Sequence, residues 1–178
     1  MKSLTIAFGA FALMLTSACS VSIDGAQYQQ QQPVFSLTEF FDGKVKAWGI
    51  VQNRSGNVVQ RFIVDIDGSM QDGKLILDET FHYDLGEGPR KRVWTLTPQA
   101  DGSFEGRAGD ILDVAIGKPY GNAFNFTYSM DLPVDDTSYE VKFDDWFWAM
   151  DENTMMNRSY IKKFGIVMAE VSIFMQRQ

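Results

Sequence analysis

The chain has 178 residues and a formal net charge of −7, with 16 Lys and Arg against 23 Asp and Glu. That balance argues against nucleic acid, and against electrostatic docking on anionic lipid. A single cysteine excludes an intramolecular disulfide, and a single histidine excludes a multi-histidine metal centre.

Met1-Lys2 is a short positive start, followed from Leu4 to Leu15 by an apolar run without a charge. The run is too short for a membrane-spanning helix, which needs roughly 20 apolar residues. Its layout is that of a signal peptide over residues 1–18, with the small residues Thr16, Ser17 and Ala18 before the cut. A leader followed by its first cysteine resembles the lipobox of bacterial lipoproteins, although Thr16 stands where leucine is commonest. The resemblance implies cleavage before Cys19, diacylation of its thiol and acylation of the new N-terminus. Such anchoring is firm, because it uses more than one acyl chain. Ser20 in place of aspartate implies, by the same resemblance, the Gram-negative outer membrane. The alternative is an ordinary secretion signal cut near Ala18, which leaves a free thiol.

Residues 19–34 read as a flexible tether: Ser20 to Pro33 is polar, includes Gln29-Gln30-Gln31-Gln32 and has no apolar periodicity. Residues 35–178 are the right size for one domain. A short helical turn fits Ser36 to Phe41. Strands are then expected at Lys44–Asn53, Val58–Asp67, Lys74–Asp84, Arg92–Pro98 and Ser103–Arg107, and near Ile111–Gly117. Four more follow at Phe124–Leu132, Tyr139–Met150, Met155–Lys163 and Ile166–Gln176. Turn chemistry separates them, as at Asn53-Arg54-Ser55-Gly56-Asn57, Asp101-Gly102, Gly86-Glu87-Gly88-Pro89 and Gly117-Lys118-Pro119-Tyr120-Gly121.

Between Phe124 and Leu132 the alternation is strict. Phe124, Phe126, Tyr128, Met130 and Leu132 share one face, and Asn125, Thr127, Ser129 and Asp131 share the other. One face is therefore buried and the other wet. The fold class is all-β: an antiparallel up-and-down meander that removes its edges by closing into a barrel of about 8–10 strands. A two-sheet sandwich is the rival arrangement.

Several segments carry a family resemblance: Phe40-Phe41-Asp42-Gly43-Lys44-Val45-Lys46-Ala47-Trp48-Gly49, Arg61-Phe62, Leu77-Asp78-Glu79-Thr80-Phe81 and Arg92-Val93-Trp94. Gly121-Asn122-Ala123, Asp144-Asp145-Trp146, Asn157-Arg158-Ser159 and Lys163-Phe164-Gly165 continue it in order. Together they resemble the DUF3833 family of uncharacterised bacterial lipoproteins over nearly the whole mature domain. The resemblance implies a lipocalin-like (calycin) barrel and no established activity.

No Gly-x-Ser-x-Gly elbow, phosphate loop or EF-hand loop is present, so no cofactor and no metal are expected, and an enzyme ranks lowest among the readings. His82 shares a strand face with Asp78, Thr80 and Asp84, read as a solvated outer face. Glu79 instead interrupts the apolar row of Leu75, Leu77, Phe81 and Tyr83, and a carboxylate there needs a partner. Arg61, Arg92 and Arg158 are the candidates. Asp144 and Asp145 point to opposite faces, which excludes a paired-carboxylate site without a bulge. The first reading is a barrel that binds a fatty acid or lipid-like ligand through Trp48, Arg61, Glu79, Arg92, Trp94, Phe126, Tyr128, Asp145 and Arg158. The second is a structural or partner-binding envelope lipoprotein whose barrel is solid and holds no ligand.

Overall fold

The structure, a computed structural model, describes residues 21–134 and 137–178. The leader and Cys19 lie outside the described residues.

Ten antiparallel strands close into one barrel in sequence order, β1 pairing with both β2 and β10. They are β1 (Gly43–Asn53), β2 (Val58–Gln71), β3 (Lys74–Leu85), β4 (Lys91–Pro98), β5 (Phe104–Arg107), β6 (Ala115–Tyr120), β7 (Ala123–Val134), β8 (Thr137–Ala149), β9 (Thr154–Lys163) and β10 (Ile166–Arg177). Closure leaves no free sheet edge, so the sandwich arrangement is excluded. Two-residue hairpins join some strands where the sequence offers positive φ, as at Asp72-Gly73 (φ 49° and 76°).

Alternation sets the two walls. On β7, Phe124, Phe126, Tyr128 and Met130 are buried inside, while the intervening residues are partly exposed. On β1 the inner row is small: Val45, Ala47 and Gly49. Gly49 has no alternative there, because a Cβ would stand 2.3 Å from the Phe62 ring. Strand β6 differs from expectation. It begins later and runs through Lys118-Pro119-Tyr120, so the turn narrows to Gly121-Asn122.

One end of the barrel is plugged. Helix α1 (Leu37–Phe41) lies across it, capped at its start by Ser36, whose Oγ accepts from the Glu39 amide at 3.3 Å. Its last carbonyls accept from Arg177 of β10, with Nη1 2.7 Å from the Phe40 oxygen. Leu37, Phe40 and Phe41 are buried against the inner wall.

The tether expectation is corrected from Val21 onward. Asp24 caps a 3-10 turn (Gly25–Tyr28), and this segment lies along the outer wall of β6, β7 and β8. Tyr28 packs at 6.0 Å from Trp146 and 6.1 Å from Trp148, and Gly25 sits on the Tyr120 ring. The physical reason is one aromatic residue: Tyr28 covers two tryptophans that would otherwise face water.

Candidate functional site

The barrel is hollow. A cavity of about 1240 Å³ runs from the α1 plug to the opposite end, where the 53–58, 86–90 and 164–165 turns surround a mouth. The solid-barrel alternative is therefore corrected. Ten strands make a wider ring than the eight that side chains can fill, and the small inner row of β1 leaves further space. Leu37, Phe41, Leu77 and Phe124 line the floor; Gln60, Glu87, Pro89 and Lys163 stand at the mouth.

Midway up the wall the apolar lining is broken by a polar group: Glu79 of β3, Arg92 of β4, Tyr128 of β7, and Asp145 of β8 with Ser159 of β9. Each sits on an inward position of its strand. Glu79 and Arg92 are directly opposite in register, as are Asp145 and Ser159. The Ser159 hydroxyl donates to Asp145, and the Tyr128 side chain faces the same cavity. Arg92 donates from Nε (2.9 Å) and Nη2 (2.6 Å) to Asp110 in the β5–β6 loop, and its guanidinium lies 5.8 Å from the Trp94 ring. Asn157, which also lines the cavity, is fixed by donating to the Trp146 carbonyl at 3.1 Å.

The surroundings hold these acids close to neutrality. Glu79 is enclosed by the barrel, its partly accessible surface being the part turned to the cavity. Burial pushes its carboxyl up to about 7, against the pull of Arg92. Burial likewise pushes Asp145 up to about 7, although Ser159 and Arg92 work in the other direction. Burial opposes the charge of Arg92, but Tyr128, Glu79 and Asp110 outweigh it and the guanidinium stays charged. The chamber thus offers one committed cation already paired with Asp110, and two acids able to accept or donate a hydrogen bond.

Six of the sequence-derived ligand residues meet in this chamber: Glu79, Arg92, Trp94, Phe126, Tyr128 and Asp145. Three do not. Trp48 lies on the outer wall, stacked at 5.9 Å on Phe174. Arg61 is outside, 3.3 Å from Asp84, and Arg158 is outside, 2.5 Å from Glu170. Their neighbours Phe62, Ala47 and Asn157 take the inner positions, and strand alternation sends these three outward. His82 is also outside and exposed, 3.3 Å from Asp65. Sequence reasoning missed Asp110, which no strand period reaches because it lies in a loop. It also missed Ser159 and Asn157, although their spacing of two on an inward strand face is a usable signal. Among the described residues, no three or more His, Cys, Asp or Glu side chains gather as a metal site requires.

Fold and chamber together define a lipocalin-like barrel. It is similar to the S-type phycobiliprotein lyase CPES from Guillardia theta, with a TM-score of 0.58 at 14% identity, over 81% of this chain and 93% of that one. It is also similar to a protein of unknown function from the DUF3598 family of Nostoc punctiforme PCC 73102. There the TM-score is 0.58 at 12% identity, over 83% of this chain and 51% of that one. No curated protein matches the sequence. The model of the DUF3833 family, proteins of unknown function, matches residues 12–177, and the chain belongs to that family.

Proposed function

We propose that this protein is a lipid-anchored binding barrel of the Gram-negative outer membrane that holds one small apolar or lipid-like ligand. The observation that carries the reading is the cavity itself. Its volume exceeds the roughly 300–1,000 Å³ of ordinary small-molecule pockets, and it is mostly apolar, with polar groups at mid-depth and at the mouth. An acyl chain fits the floor lined by Leu77 and Phe124, with a polar group of the ligand at the level of Glu79, Tyr128 and Asp145. Two acids near neutrality favour a head group that donates hydrogen bonds, such as a hydroxyl or amide, over a phosphate or a second carboxylate. The lipid anchor rests on the leader and Cys19 in the sequence. The similar phycobiliprotein lyase supports the reading only in that its barrel has the same shape.

The test is native mass spectrometry with lipid extraction on the mature chain from a bacterial envelope. A stoichiometric apolar ligand is expected. Ala169→Trp, which narrows the cavity near its mouth, should lose it, while Arg61→Ala and Arg158→Ala on the outer wall should keep it. An empty protein, still empty after incubation with fatty acids and phospholipids, would overturn the proposal.

A further inference from the structure

The described chain begins on the outer wall of β8 and β9, above the level of Asp144. The Val21 carbonyl accepts from Lys162 Nζ at 3.0 Å, and Lys162 is also held by Asp144 at 2.6 Å. Lys162 lies near the end of β9, two residues before the Phe164-Gly165 turn at the mouth. From there the chain descends the outer wall, through Gly25 on Tyr120 and Tyr28 on Trp146. It reaches the closed end where the Phe35 amide donates to the Gly121 carbonyl at 2.8 Å. The path is a strap along the outer wall from the level of Lys162 and Asp144 to the closed end. Only Ser20 separates Val21 from Cys19, and two residues span at most about 7 Å. A lipid on Cys19 is therefore tethered within that reach of Val21, at the end of the strap away from the plug.

Among the charged residues of the rim, such as Glu87 and Arg90, several large apolar side chains stand in water. Phe164 is 92% exposed, and its φ of 52° places a bulky side chain in a backbone region that such residues avoid. Leu85, Leu112, Ile166 and Met168 are also exposed there. Lys163 holds its ammonium 3.7 Å from the Tyr139 ring, the pairing of cation and amphipathic aromatic that suits the headgroup layer.

We propose that the mouth faces the lipid bilayer, with the Cys19 acyl chains and the Phe164 rim as two feet on the same surface. This rests on the anchored-barrel reading above. An apolar ligand then moves between bilayer and cavity without crossing water. The chain's net charge of −7 does not draw it to an anionic surface, so contact comes from the anchor and from apolar insertion.

The acylated mature protein is reconstituted into phosphatidylcholine vesicles with an environment-sensitive fluorophore at Phe164→Cys or, at the closed end, at Asp101→Cys. Acylation of Cys19, the one native cysteine, leaves a single labelling site. The label at 164 should shift to the blue and be quenched by brominated phospholipid, and the label at 101 should do neither. Both positions are exposed, and circular dichroism of each labelled variant checks that it has folded. A label at 164 that stays in water, or lipid contact at 101, overturns the orientation. So does a free Cys19 thiol by mass, or contact at 164 only when a membrane protein is added. The ligand reading fails separately, through an empty cavity in a protein whose 164 label is in lipid.

Discussion

At the closed end of the barrel Phe40 and Phe41, the last residues of α1, are 5% and 4% exposed and packed edge to face at 5.1 Å, in a helix capped at both ends. At the mouth, Phe164 is almost wholly exposed on a two-residue turn with a positive φ. The same ten strands run between the two ends, so the difference is not one of sheet stability. The closed end converts apolar area into folding free energy, whereas the mouth leaves comparable area unused by the fold. Apolar surface kept out of the core, at the opening of a hollow barrel, is surface available to something outside the chain.

The contrast is broken most sharply by truncating one phenylalanine at each end. Phe41→Ala should destabilise the protein by about 3–5 kcal/mol in urea unfolding, through lost burial and the void it leaves. Phe164→Ala should change stability by less than about 0.5 kcal/mol. Comparable losses at the two ends would mean that the mouth is part of the core.

A second test lies at mid-depth. Glu79 and Asp145 titrate near 7 in the folded chain, above their ordinary values of 4.5 and 3.8. Between about pH 4 and 7 the unfolded chain gives up these protons while the folded chain keeps them. The folded state binds more protons, and stability falls as pH rises through that window. The loss is on the order of 3 kcal/mol for each acid acting alone. Glu79→Gln and Asp145→Asn should therefore be more stable than the parent at pH 7.5, and should flatten the decline seen in melts between pH 4 and 7. An unchanged slope would place these carboxyls in contact with water.

Much of this was legible in the sequence because a strand has a period of two. The interior of β7 follows from its alternation, and the short helical turn expected over Ser36 to Phe41 is α1. Glu79 and Asp145 stood out because each interrupts an apolar row. The same logic sent Trp48, Arg61 and Arg158 outward, but residue type had pulled them into the candidate site. An aromatic or an arginine looks like a binding residue on either wall. What stayed hidden depended on contacts distant in sequence. Asp110 meets Arg92 from a loop, and the 21–34 segment is polar in composition but folds because Tyr28 finds Trp146 and Trp148 more than a hundred residues later. Composition does not encode that meeting.

The central claim, a hollow barrel that takes an apolar chain, is tested most directly by tryptophan quenching with brominated fatty acid in detergent-free solution. Trp94 is the indole in the chamber, 5.1 Å from Phe126 and 5.3 Å from Tyr128, whereas Trp48, Trp146 and Trp148 belong to the outer wall. Saturable quenching that disappears in Trp94→Phe is the predicted result. Quenching that persists in that variant, or none in the parent, would contradict the account.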